Sequence, residues 1–313
     1  MTPFVDRYLD MVRDQRLPHL IPLTLVKRQL LLRALANAPK PTSIAVSLTI
    51  DVETDDGHAY NGYNAPSVAP FLEHIGQLAD QVNGGFTLFV QGDLAVPYAE
   101  ALRQLVPNHE IGLHGWHHEL WGKPIWYSKI TEQIPLDEKA RRLQLAFDAF
   151  ATAGLARPTS FRAPWLRIDD NVLHLLDQQG FVLDSAVFVA RGAKPVIQQF
   201  GHLTRIPVSA SPVPRLVRRS GIPVFTPYIA LNMPTFLTAS DENLLTLVGE
   251  IVTYQASVGC PPHLVILSHP WEYEPVAPRF AYQFDVYQRL AERFDWLATH
   301  YKTMLLPLSK LVV

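Results

Sequence analysis

The sequence predicts an α/β fold, a barrel of parallel strands with a helical extension at its N-terminus. Three observations carry that expectation. From residue 43 onward, short apolar runs alternate with amphipathic helical segments, the pattern of a parallel sheet with right-handed crossovers. Ionisable groups recur where those runs end: Asp51 and Glu53, His114 and His118, Arg162, Asp184, and His269. In a barrel such ends all face one side, so residues distant in sequence meet in one pocket. The length, 313 residues, suits a single barrel with an added segment.

Composition narrows the classes. Hydrophobic residues at 48% and charged residues at 18% provide a large core and exclude a disordered chain. A formal net charge of −2 argues against broad nucleic-acid binding. The single cysteine, Cys260, rules out an intramolecular disulfide, and its default role is a small buried hydrophobe. No apolar run reaches the roughly 18 residues of a membrane-spanning helix. Asp6, Arg7, Asp10, Arg13, Asp14 and Arg16 make the start unlike a signal peptide, so a cytoplasmic protein is expected.

Residues 1–42 are expected to form the helical extension. Leu23, Val26, Leu30 and Ala34 make an apolar stripe with Lys27, Arg28 and Arg33 beside it. Such a helix packs on the barrel exterior or lies peripherally on an anionic membrane face. Ala38-Pro39-Lys40-Pro41 ends it, and 43–313 form the barrel. Strands are expected at 44–50, 86–90, 111–113, 159–161, 181–183, 204–208, 264–267 and 302–306. Helices are expected at about 66–82, after Pro97, and at about 136–153, 170–179, 241–256 and 282–299.

The strongest local signal is His109-Glu110-Ile111-Gly112-Leu113-His114-Gly115-Trp116-His117-His118. It holds four of the twelve histidines. His114 and His118, four apart at the end of an apolar run, can converge on one metal. Two histidines and a carboxylate bind a divalent ion and leave positions open for water and substrate. A second carboxylate can then take a proton from water, and a separate histidine can protonate a leaving amine. Five strand ends carrying ionisable groups exceed what folding needs, because each such group near a core costs energy unless paired.

The ordered set Thr49-Ile50-Asp51-Val52-Glu53, His114-Gly115-Trp116-His117-His118, Phe161-Arg162-Ala163-Pro164-Trp165, Asp184-Ser185 and Leu267-Ser268-His269-Pro270 resembles the polysaccharide deacetylases. These are the NodB-homology enzymes of carbohydrate esterase family 4. The resemblance runs from about 43 to 313. It implies a distorted (β/α)7–8 barrel that hydrolyses an N-acetyl or N-formyl group from an amino sugar, in a polysaccharide or a lipid-linked precursor. It implies Asp51 as general base, Arg162 orienting it, and His269 as general acid tuned by Asp184. It implies a divalent metal, Zn²⁺ first and Co²⁺, Mn²⁺ or Ni²⁺ after it, on His114 and His118. The Trp165 amide would help stabilise the oxyanion.

Val52 stands where many members carry a second aspartate. Asp55-Asp56-Gly57 lies too far past the strand to replace it and reads as a turn. Asp51-Val52-Glu53 instead resembles an acid-x-acid branch that includes the undecaprenyl-phosphate formamido-arabinose deformylase. Alternate residues of a strand share a face, so Glu53 is expected on the metal. Trp116, Trp165 and Trp271 are candidate sugar-binding faces, with Trp121, Trp126, Tyr127 and Tyr273 nearby. Two other functions fit the same residues: a cyclic-amide hydrolase without metal, and a carbohydrate-binding pseudoenzyme.

Overall fold

The computed structural model describes residues 21–54, 66–123, 134–187, 194–219, 222–226, 229–274 and 281–312. The Asp55-Asp56-Gly57 turn, Trp126 and Tyr127 lie outside them. In chain order the first elements are α1 (Ile21–Asn37), β1 (Ser43–Val52), α2 (Val68–Gln81), β2 (Thr87–Val90), α3 (Ala99–Leu105) and β3 (Glu110–Leu113). Then come α4 (Leu136–Thr152), β4 (Ser160–Phe161), α5 (Asp170–Gln178), β5 (Leu183–Asp184), β6 (Gln198–Phe200) and β7 (Leu203–Arg205). β8 (Ala210–Ser211), β9 (Arg215–Arg219), β10 (Ile222–Thr226) and β11 (Ile229–Ala230) are short. The chain continues through α6 (Met233–Thr238), α7 (Asp241–Ser257), β12 (His263–Ser268), α8 (Pro270–Tyr273), α9 (Val286–His300) and β13 (Lys302–Leu305).

β1 is the hub. Apolar Ile44, Val46, Leu48, Ile50 and Val52 alternate in it with Ala45, Ser47, Thr49 and Asp51. Extended backbone sends the two sets to opposite faces. The apolar set joins the core beneath the helices. Ala45 packs instead against a second cluster of Phe89, Leu183, Ile206, Val265, Leu308 and Leu311. Asp51 belongs to that second face.

The main sheet runs β12-β1-β2-β3-β4-β5-β7-β6, and β13 pairs with β1. Every pairing is parallel except β6 with β7. The result is the curled, barrel-like sheet of parallel strands that the strand–helix alternation predicts. The outer edge of β12 is covered rather than open. Ser209 N donates to Val265 O at 3.0 Å, and Leu267 N to Leu231 O at 3.2 Å.

The opposite end is plugged by the C-terminal turn. Leu308 N donates to Thr87 Oγ1 at 2.7 Å and Ser309 N to Glu110 Oε2 at 3.0 Å. The expected helix at 282–299 starts later, at Val286, because the Asp285 side chain caps it by accepting from Gln288 N. The segment 198–230 is less regular than expected. It holds the antiparallel pairs β9–β10 and β8–β11 in place of a βα unit.

α1 forms, but its stripe does not face the barrel. Thr24 and Leu35 are the buried positions, whereas Val26 and Leu30 are 55% and 60% exposed. Among the described residues no helix is long and apolar enough to cross a membrane.

β3 approaches β2 and β4 closely at Gly112, where an added Cβ would sit 2.8 Å from Phe89 Cδ1 and 3.1 Å from Ser160 O. Phe89 is fully buried, so it has little room to yield. Gly112→Ala should therefore cost roughly 1–3 kcal/mol. Urea unfolding should show a lower midpoint at unchanged slope.

Candidate metal centre and active site

Three strand ends deliver the core of the site. β1 delivers Asp51 as its penultimate residue, and Glu53 follows two positions on. The parallel ladder β1–β2–β3 continues past its last pairs through Gln91 N to Val52 O at 2.9 Å and His114 N to Val90 O at 2.9 Å. That ladder sets the height of His114 relative to the two carboxylates.

The chain must then turn sharply to bring His118 back. Gly115 adopts φ +73, and a Cβ there would meet Trp121 Nε1 at 2.7 Å. Glycine is the residue this bend tolerates. His118 itself sits at φ +55, a conformation that costs a non-glycine residue on the order of 1–3 kcal/mol and recurs at functional sites. Glu119, which the sequence reading passed over, holds the turn. Its carboxylate accepts from Trp116 N at 3.0 Å and His117 N at 2.6 Å, and Arg142 backs it at 3.5 Å. Lys139 Nζ, buried, donates to Trp121 O at 2.9 Å and fixes the loop's far end.

Glu53, His114 and His118 converge. Glu53 Oε2 lies 2.7 Å from His114 Nε2 and 2.5 Å from His118 Nε2. One donor atom from each residue falls within a 4.8 Å cluster, and all three side chains are buried. Burial would push the Glu53 carboxyl up. The His118 and His114 imidazoles more than offset it and hold Glu53 well below the usual carboxylate range. An anionic oxygen and two imidazole nitrogens in a dry pocket form a donor set that fits a borderline divalent ion such as zinc. His114 Nδ1 is buried with no partner among the described residues, so its ring is oriented from the Nε2 side alone.

Asp51 stands beside this cluster. Its Oδ2 is 3.9 Å from His114 Nε2, and its Oδ1 accepts from Arg162 Nη1 at 2.8 Å. Arg162 is wholly buried. Its Nη2 donates to Ser185 Oγ at 2.9 Å, and its guanidinium lies 4.4 Å over the Phe89 ring. The expected Asp51–Arg162 contact is therefore present in the geometry.

His269 follows β12, whose Ser268 pairs with Ile50. The next residue of each strand is thus His269 on one side and Asp51 on the other. Its expected partner, Asp184, is elsewhere. Asp184 accepts from Arg205 Nε at 2.8 Å and Ala186 N at 2.9 Å, which ties β5 to β7. Burial raises its pKa, with Arg205 working against the rise.

Glu272 takes the place expected of Asp184. It accepts from His269 N at 2.8 Å and lies 3.2 Å from His269 Nδ1. Burial would lower the imidazole pKa, but the Glu272 bond and charge reverse that and raise it to about 9. The signal was local: a glutamate three residues after His269, at capping-box spacing.

The three tryptophans divide. Trp271 is 6% exposed and stacks on His269, centroids 4.5 Å apart at 12°, so it supports that imidazole rather than forming an open face. Trp165, half-buried at φ +55, meets the His118 ring edge-on at 4.4 Å. Trp116 is half-buried and packs over Gly92, where a Cβ would touch its Cε3 at 2.9 Å. Trp121 and Tyr273 are core residues. His117 is exposed, and its Nδ1 lies 2.8 Å from Asp93 Oδ2.

Residues 40–183 match the family model described as polysaccharide deacetylase. Among solved structures, one from Mycobacterium smegmatis assigned to the polysaccharide deacetylases is 18% identical. It aligns over 87% of this chain and 90% of its own with TM-score 0.56. A CE4-family pseudoenzyme from Bacillus anthracis is 14% identical over 87% of this chain and 66% of its own, TM-score 0.48. A family 4 carbohydrate esterase from Streptomyces lividans in complex with acetate is 14% identical over 86% and 92%, TM-score 0.44. At these identities the first speaks for the fold alone, and the other two add no weight. Among curated proteins there is no significant sequence match. The match to the polysaccharide deacetylase model thus covers residues 40–183, from the start of β1 to β5, and the first of these structures shares the fold.

Proposed function

We propose that this protein is a metal-dependent N-deacylase that removes an acetyl or formyl group from an amino sugar. The observation that carries the reading is the separation of two carboxylates. Glu53 is bound to His114 and His118, and Asp51 is bound to Arg162, 3.9 Å from the same His114. One carboxylate is left for proton transfer after the other is committed to a cation.

Glu53, His114 and His118 would hold the ion. When bound, it supplies Lewis-acid polarisation of the amide carbonyl and lowers the pKa of water. Asp51 takes a proton from the attacking water as its oxygen bonds to the carbonyl carbon. Arg162 fixes the Asp51 oxygen that does not take the proton. His269, protonated and oriented by Glu272, gives its proton to the sugar nitrogen as the carbon–nitrogen bond breaks. The products are a free amine and acetate or formate. The Trp165 amide is assigned to the developing oxyanion.

Asp51 and Glu53 lie on one face with Val52 between them, which favours the acid-x-acid branch and keeps a lipid-linked amino sugar among the substrates. The exposed Val26 and Leu30 ridge of α1 with exposed Lys27 and Arg33 supports peripheral contact with an anionic membrane on the cytoplasmic side.

Asp51→Asn should lower acyl release roughly 10²- to 10⁴-fold while elemental analysis finds the zinc content unchanged. His118→Ala should lose the zinc. Full turnover by a metal-free, chelator-treated preparation would overturn the reading and favour a cyclic-amide hydrolase.

The pH profile tests the acid. The competent form of His269 is protonated, and a pKa raised to about 9 keeps it protonated below that pH and strips it above. The turnover rate should fall as pH rises through about 9. In Glu272→Gln that fall should move down towards the ordinary histidine value near ~6.5.

For the membrane contact, the chain should co-sediment with phosphatidylserine-containing vesicles at low salt and release as ionic strength rises. Lys27→Glu with Arg33→Glu should abolish the effect. No sedimentation of the unaltered chain would remove the proposal.

A further inference from the structure

Away from the site, a cavity of about 850 Å³ lies under the N-terminal ends of β2 and β3. Two of its buried or half-buried polar groups are already occupied. Glu110 is bonded by Thr87, Ser160 and Ser309, and His109 Nδ1 accepts from Phe86 N.

A second cavity, of about 490 Å³, opens on the outer flank between α2 and the start of α9. That volume is within the roughly 300–1,000 Å³ of ligand sites. Its composition is unusual for a surface groove. Tyr282 and Phe284 stack with centroids 5.0 Å apart at 26°, and the Phe284 ring is 40% exposed. Gln77 and Gln81, both exposed on α2, line the other side with Glu274. The Glu274 carboxylate is held in place by Tyr287 Oη at 3.0 Å and His74 Nδ1 at 2.9 Å. Among the described residues no lysine or arginine lines the cavity.

This chemistry selects its ligand. An exposed aromatic platform takes the apolar C–H face of a sugar ring, and exposed amides and a held carboxylate at its edge take hydroxyl groups. Glu274 and Asp285, both in the lining, disfavour phosphate and carboxylate ligands. A neutral polyhydroxylated ring meets every group present. The cleft shares one wall residue with the end of β12. Tyr273, in its wall, bonds through its hydroxyl to Ser268 Oγ at 3.0 Å, and Ser268 directly precedes His269.

We propose that this cleft is a second saccharide-binding site, holding a unit of the neutral glycan remote from the sugar being deacylated. The proposal rests on the reading of the substrate as an amino-sugar glycan, and on no step of the catalysis.

The test uses the full chain and two probes, the hexamer and the dimer of β-1,4-linked N-acetylglucosamine, with binding read by titration calorimetry. Phe284→Ala should weaken hexamer binding about tenfold and leave dimer binding and acyl release from the dimer unchanged. Gln77→Ala with Gln81→Ala, on the exposed face of α2, should weaken the hexamer in the same direction. Hexamer binding unaffected by both variants would overturn the proposal, and so would equal losses for hexamer and dimer. No hexamer binding by the unaltered chain would overturn it as well. Phe284-dependent hexamer binding by a chain that releases no acyl group would uphold the second site and sink the deacylase reading instead.

Discussion

The fold is arranged around a charge that could not otherwise be buried. Arg162 is 0% exposed, and an unpaired guanidinium at that depth would cost several kcal/mol. Three elements answer it. Asp51 from β1 neutralises it, Ser185 after β5 accepts from it, and the Phe89 ring of β2 lies under it. Ser185 passes the bond on to Ile206 O at 2.8 Å. Four strand ends are thereby tied through one side chain, and the residue they place is the carboxylate beside the Glu53–His114–His118 cluster. A buried pair of this kind adds little net stability. What it supplies here is position.

Backbone strain is concentrated at the same place. Of the four non-glycine residues with positive φ among the described residues, three are His118, Trp165 and Leu166, and His118 and Trp165 are in ring contact. The turn from His114 to His118 and the bend after Arg162 thus meet in strained conformations. Glu119 and Lys139 hold the first turn from beneath. Short strands alone would not fix two imidazoles to a fraction of an ångström. The buried acid and the buried lysine do so by satisfying loop amides and a loop carbonyl.

Much of this was legible in the sequence because period and position carry physical meaning. The two-residue alternation of β1 placed Asp51 and Glu53 on one face, and the His114–His118 spacing at a strand end announced a convergent pair. Glu272 and Asp184 mark where that reasoning stopped. Both are carboxylates near expected strand or loop ends, and only the fold shows that Asp184 is spent on Arg205. The apolar stripe of α1 was visible, but periodicity cannot say whether a stripe meets the protein or faces out. Apart from the strand expected at 204–208, the region 198–230 was silent for a different reason. Its strands run two to five residues, too short to express a period. β10 also carries Pro223, which demotes a strand in any sequence reading.

The site divides its ionic groups into separate sets, and that division bears on mechanism. Glu53 answers His114 and His118, Asp51 answers Arg162, and Glu272 answers His269. Amide hydrolysis needs a base and an acid in opposite protonation states at one pH. Two groups sharing a single proton network would titrate as a coupled pair and resist that condition. Here Asp51 belongs to β1 and is braced from β4, while His269 belongs to the end of β12 and is braced from its own α8. Each acquires its partner from a different direction. The His269–Glu272 pair keeps its proton to about pH 9 with its main partner outside the metal cluster. The parallel register of β1 and β12 then sets Asp51 and His269, the proposed base and acid, on adjacent strand ends.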